Sequence, residues 1–259
     1  MQNIGGNLKT SVLGTFAVSV LLATAVSACG GTPEPKAAGS TPAAPAGTAT
    51  TVAATPTPTP TPTAKAYTAG ELAAIVGQVR DAADRRLTVL PSADIATTLE
   101  QTKAMLSSID VKPAECKELA ASGTVPSVDG AAMAVGMGTD AATGAVTALS
   151  LVSGLDQSFL ARLKGQQDQL AKCSSMTMTA SGMEVAVTVT ALQGVSSRPG
   201  TIAYRTDTAL PDGQKQSTVT AQVVQQGVVL TSVASGGASE ADAVQRAGAL
   251  LESAGALVK

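Results

Sequence analysis

Met183-Glu184-Val185-Ala186-Val187-Thr188-Val189-Thr190-Ala191-Leu192 is the stretch that decides the fold. Its large apolar side chains stand at every second position, at Met183, Val185, Val187 and Val189, with Glu184, Thr188 and Thr190 between them. A period of two puts the two sets on opposite sides of a pleated strand, and β-branched residues suit that surface. A strand needs partners to be stable. Extended runs at 175–180, 201–208, 218–224 and 228–234 supply them. Ser181-Gly182 and Gln226-Gly227 read as tight hairpin turns, and Pro211-Asp212-Gly213 as a longer one. Upstream, Met133, Val135 and Met137 alternate with smaller residues, and 146–152 makes a partner strand. The segment from Gly138-Thr139-Asp140 to Thr143-Gly144 is the turn between them.

Before these strands the period is that of a helix. Thr68 with Glu71 forms a capping box, followed by Leu72, Ile75, Val76 and Val79 on one face. Residues 85–90 read as a short extended piece ending at Pro91. Ser92 is expected to cap a second helix with the stripe Ile95, Leu99, Leu106 and Ile109, and Pro113 to open a short one carrying Cys116 and Leu119. A third long helix starts at Asp156, with Leu155 and Leu160 as a hydrophobic staple and Phe159, Leu163 and Leu170 inward, and ends near Cys173. A last helix begins near Ser239 and buries Val244, Leu251 and Val258. Helices followed by hairpin-linked strands give an α+β class: an antiparallel sheet with helices packed on one face and the other partly open.

The N-terminal part has a different character. Lys9 precedes an apolar run over 12–26, and Val26-Ser27-Ala28 leads into Cys29. Charge, greasy segment and small residues in that order make an export signal. Ala28 followed by Cys29 resembles the lipobox of bacterial lipoproteins, in which the cysteine is acylated and becomes the new N-terminus. Cleavage by ordinary signal peptidase is the alternative. A retained span is disfavoured, because the run falls short of the ~20 residues a membrane helix needs. The expected organisation is a signal peptide at 1–28, a tether at 29–66 and a folded domain at 67–259.

The tether follows from composition. Eight of the thirteen prolines lie between Pro33 and Pro62, and Thr and Pro alternate over 55–63. Such a segment buries no core and favours extended polyproline II, reaching on the order of 115 Å. The protein is thus expected at the extracytoplasmic face of the cell membrane, held by a lipid on Cys29. With Cys29 assigned to lipid, Cys116 and Cys173 remain as a pair in an oxidising compartment. Two separate buried thiols are the alternative, and two thiols with no histidine make at best half a zinc site.

The segment Pro113-Ala114-Glu115-Cys116 follows the second helix, and a later helix ends near the partner cysteine. With the two-helix opening, these features make the block from Ala69 to Val258 resemble the extracellular sensor domain of mycobacterial PknH-type kinases. That domain also occurs as stand-alone actinobacterial lipoproteins. The resemblance implies an α+β fold with a deep cleft for an unidentified ligand. Better-known members carry a second disulfide in the later half, which this chain lacks.

Several chemistries are excluded. The chain contains no His, so a Ser-His-Asp triad is impossible, and neither Ser-x-x-Lys nor Gly-x-Ser-x-Gly occurs. Gly136-x-Gly138-x-x-Ala141 matches the loose dinucleotide pattern but leads into a second strand, not a helix. Glu115 with Glu118 and Asp81 with Asp84 stand at i, i+3 and read as solvated helix faces. A net charge of −2 argues against nucleic acid. The methionines 133, 137, 176, 178 and 183 read as alternating strand positions in the core, although methionine also suits adaptable binding surfaces.

The expected function is a non-enzymatic, lipid-anchored binding or sensing module without cofactor or metal. Its partner is an unidentified small molecule or an envelope protein. An adaptor lipoprotein and a carrier of apolar lipid are the alternatives. Candidate ligand liners are Tyr204, Met137, Val185 and Val187, placed on the open sheet face, with Tyr204 at a rim where apolar and wet surfaces meet.

Overall fold

The computed structural model describes residues 65–122, 130–180, 182–211 and 213–259. The expected signal peptide, Cys29 and all of the tether except Lys65 and Ala66 lie outside these residues. In chain order the elements are α1 (Ala69–Gln78), β1 (Thr88–Val89), α2 (Ser92–Ser107), β2 (Asp110–Lys112), a 3-10 turn (Ala114–Cys116) and α3 (Lys117–Ser122). Then come β3 (Ala132–Asp140), β4 (Ala145–Ser153), α4 (Gln157–Lys172), β5 (Ser175–Ala180), β6 (Met183–Leu192), β7 (Ile202–Ala209), β8 (Lys215–Gln225), β9 (Val228–Ser235) and α5 (Glu240–Leu257). No helix among the described residues is long and apolar enough to cross a membrane.

All nine strands join one antiparallel sheet in the order β1-β3-β4-β9-β8-β7-β6-β5-β2. Strands β5 to β9 form a meander whose last member returns to pair with β4. Gln226 and Gly227 turn the β8–β9 hairpin with φ of 50° and 74°, the left-handed pair a two-residue turn requires. Helix α4 carries the chain from β4 to β5, five strand spacings away. Sixteen residues of helix span about 24 Å, and five spacings measure about 24 Å. One straight helix is therefore enough to cross the meander. Helix α2 makes a second crossing, from β1 at one edge of the sheet to β2 at the other.

The class and the antiparallel sheet match the expectation. The helix layer does not lie on one face. On the first face, α1 and α5 bury Leu72, Val76, Leu250 and Leu251 against Leu149, Leu151, Val228 and Leu230. On the second, α4 packs Phe159, Leu160 and Leu163 on Val152 and Val229. Further along that face, Leu170, the end of α2 and α3 cover β5 to β7. The cause is in the central strands: β4 and β9 carry apolar side chains on both sides, and a strand so built needs cover on both.

Local readings hold in most places. Thr68 caps α1, its hydroxyl accepting from the Glu71 N–H at 3.2 Å while Glu71 Oε2 accepts from the Thr68 N–H at 2.9 Å. Asp156 caps α4 and Ser239 caps α5. Ser92 does not cap α2; it is already helical, and Pro91 precedes it without a side-chain cap. Strand β2 is not legible in the sequence, because its three residues show no period. Cys116 and Cys173 form a disulfide with Cα atoms 5.5 Å apart. It ties the turn after β2 to the C-cap of α4, where both crossings finish.

Candidate functional site

Register sorts the sheet residues into faces. On the second face, one row runs Val135–Ser150–Thr231–Gln222–Ile202 across β3, β4, β9, β8 and β7. The next runs Met137–Ala148–Val233–Thr220–Tyr204, and the one beyond it Thr139–Val146–Ser235–Thr218–Thr206. Ser150, Thr220, Gln222 and Thr231 are buried polar groups inside an otherwise aliphatic layer. The Gln222 Nε2 donates to Thr231 Oγ1 at 2.9 Å. Above the same face, Gln166 lies on the inner side of α4 between Leu163 and Leu170, only 3% exposed. A buried polar group costs free energy unless it is bonded, and Gln222 and Thr231 meet that need in each other.

The rows beyond are less covered. Met137, Val146, Ala148 and Val233 are half-buried, as are Thr206, Thr218 and Ser235. Helix α4 stands over the Met133–Val152–Val229–Val224 row at one end of the strands. Helix α2 starts beside β3 and ends with Met105 and Leu106 in the cluster over β5 to β7. The half-buried rows form a partly covered strip of the second face, the trough, which runs beside the buried polar row.

The liners expected from sequence all point to this face, which the helices share, and not to the uncovered one. Tyr204 is 6% exposed and packs with Cys116, Leu119, Leu170 and Cys173, so its placement at a wet rim does not hold. Val187 is in the same core and Val185 at its margin. Met137 shares the row of Tyr204 but stands four strands away, about 19 Å. The open part of the sheet is the first face of β5 and β6, which presents Thr177, Thr179, Glu184, Ala186, Thr188 and Thr190. Of the methionines, Met176 is core, Met133 and Met178 are half-buried, and Met183 is exposed.

The polar row is hidden in the sequence for a definite reason. In β8 Gln216, Thr218, Thr220 and Gln222 alternate with Val219, Ala221 and Val223, and polar alternation reads as a solvent face. The available cue was in β4 and β9, whose nearly unbroken apolar runs mark strands covered on both sides.

Other candidates resolve into packing or surface. A Cβ on Gly136 would collide with Val76 and Leu87, and one on Gly138 would stand 2.9 Å from Thr147 Oγ1. The glycine pattern thus seats α1 and Leu87 and cradles no phosphate. Glu115 and Glu118 are exposed, as expected. Asp81 is not on a helix face, because α1 ends at Gln78 and Asp81 turns the following loop. Burial opposes its ionisation, but the N–H groups of Arg85 and Ala83 and the Arg85 guanidinium hold its carboxyl below the usual range.

No family model and no curated protein matches the chain. Among solved structures it is similar to the extracellular domain of PknH from Mycobacterium tuberculosis. That match has 14% identity and a TM-score of 0.46, and covers 74% of this chain and 98% of that one. It is also similar to an uncharacterized protein, an Rv0999 ortholog, from Mycobacterium smegmatis. There the identity is 14% and the TM-score 0.37, over 58% of this chain and 76% of that one.

Proposed function

We propose that the chain is a binding module of the cell envelope, anchored through a lipid on Cys29, that holds a small molecule in the trough of the second face and catalyses nothing. The observation that carries the reading is the row Ser150, Thr231 and Gln222, with Thr220 in the next row, all buried on the face of the sheet that α4 and α2 share. Hydrogen-bonding groups placed within an apolar surface are how a binding site fixes orientation. The extracytoplasmic location is supported by the export signal and the lipobox-like Ala28-Cys29, and is compatible with the disulfide. The adaptor reading has little behind it, since the exposed large apolar side chains among the described residues reduce to Met183.

Two experiments test this. Native mass spectrometry of the protein isolated from its own envelope should find a retained small molecule, lost in Gln222→Leu while the melting temperature changes little. A wild type that carries nothing, or a variant that keeps its ligand, would remove the trough as the site. For the anchor, labelled palmitate should mark the wild type and not Cys29→Ala, which should also leave the membrane fraction. Equal retention of the variant would end the lipoprotein reading.

A further inference from the structure

The second face of the sheet holds no charged side chain. From β3 to β9 its residues are Val, Met, Ala, Ile, Tyr, Thr, Ser and Gln, whereas Asp140, Glu184, Arg205, Asp207 and Lys215 all fall on the first face by register. The helices above it follow the same rule. Every charged residue of α2 and α4, among them Glu100, Lys103, Arg162 and Lys164, is exposed, and every residue not exposed is neutral. An ionised ligand lying on these strands would lose hydration and meet no countercharge from them. The strands of this face therefore offer no ion-pair partner to carboxylates, phosphates or amines.

Polarity is also divided along the half-buried rows. Met137, Val146, Ala148 and Val233 form an apolar shelf on β3, β4 and β9. Thr218, Thr206 and Ser235, with the buried Thr220 next to them, form a hydroxyl shelf beside it, on β8, β7 and the end of β9. Each half is about two strand spacings across, or roughly 10 Å. That width fits an acyl chain on one side and a small hydroxylated head on the other.

We propose that the trough takes a neutral amphiphile, an apolar chain bearing an uncharged hydroxyl or amide head, with the head on Thr220 and Thr218 and the chain along Met137, Ala148 and Val233. This rests on the trough being the binding site and adds the chemical class of its occupant. No cation is needed, and the side-chain hydroxyls both donate to and accept from the head.

The test uses the full mature chain in phosphatidylcholine vesicles, with two diazirine photoprobes of equal chain length, one a monoacylglycerol and one a fatty acid. The monoacylglycerol probe should label peptides of β3, β4 and β8, and unlabelled monoolein should compete where oleate does not. Thr220→Val should weaken that labelling about 3- to 10-fold, the worth of one hydrogen bond. Equal labelling by both probes at these peptides would overturn neutrality and leave the site standing. Labelling confined to other elements, or indifferent to Thr220→Val, would overturn the site with it. No labelling by either probe would overturn the amphiphile class, the site then being judged by the retained ligand and Gln222→Leu.

Discussion

The Tyr67 hydroxyl donates to the Lys259 carbonyl at 2.5 Å and accepts from the Lys259 N–H at 2.9 Å. Residues 192 apart in sequence thus close the start of the domain onto its last helix. The Tyr67 N–H also donates to Ser153 Oγ at 3.0 Å, at the end of β4, and the ring is 7% exposed. One residue, through its hydroxyl and its backbone N–H, joins the start of α1, the sheet and the end of α5.

Tyr67→Phe keeps the ring and removes both bonds to Lys259. The expected loss is about 1–2 kcal/mol, or about 2–8 °C in melting temperature for a domain of this size. Thermal unfolding followed by circular dichroism measures it. An unchanged midpoint would mean that the clasp contributes nothing.

The disulfide is next. Cys116 and Cys173 are 0% and 2% exposed and enclose 57 residues. Replacing both by Ala should lower stability by about 2–5 kcal/mol, read from guanidinium unfolding under oxidising conditions. Far-ultraviolet circular dichroism should stay close to the wild type, because both faces of the sheet keep their helices.

Two glycines should answer Ala in opposite directions. Gly136→Ala drives a methyl into Val76 and Leu87 and should destabilise by about 1–3 kcal/mol. Gly165, inside α4, has nothing within 4 Å of its would-be Cβ. Gly165→Ala should stabilise by about 0.5–1 kcal/mol. Equal effects on the denaturation midpoint would contradict the placement of α1 on β3.

Acid should loosen the fold in a defined window. The Thr68 N–H, Lys65 and the Thr68 hydroxyl together bring the Glu71 carboxyl down to about 2. Asp156 is lowered by the Ser158 hydroxyl and the Phe159 N–H. Glu252, which burial alone would raise, is held down by Ser196, Ser197 and Arg198. Carboxyls lowered by folding contribute stability that is complete above the unfolded values, about 4.3 for Glu, and is lost as pH falls through the folded ones. Stability should decline between about pH 4.3 and about pH 2. Glu71→Gln should flatten part of that slope in urea titrations, and an unaltered slope would count against the Thr68–Glu71 box.

The sequence alone settled what is local. Met183–Leu192 forms the strand its alternation demands, and Thr68, Asp156 and Ser239 cap their helices. Gln226-Gly227 makes its turn, and two cysteines left after Cys29 meet. Each depends on residues a few positions apart, or on a count. Tertiary structure decided what depends on distant neighbours. A period of two states that β8 has two faces but not that α4 stands over its polar one, which requires β9 to return to β4. For the same reason Tyr204, a lone aromatic in sequence, became core once the end of α4 and α3 covered it. Thr220 and Gln222, which look like solvent positions along the chain, are buried because burial belongs to the assembled layers and not to the strand.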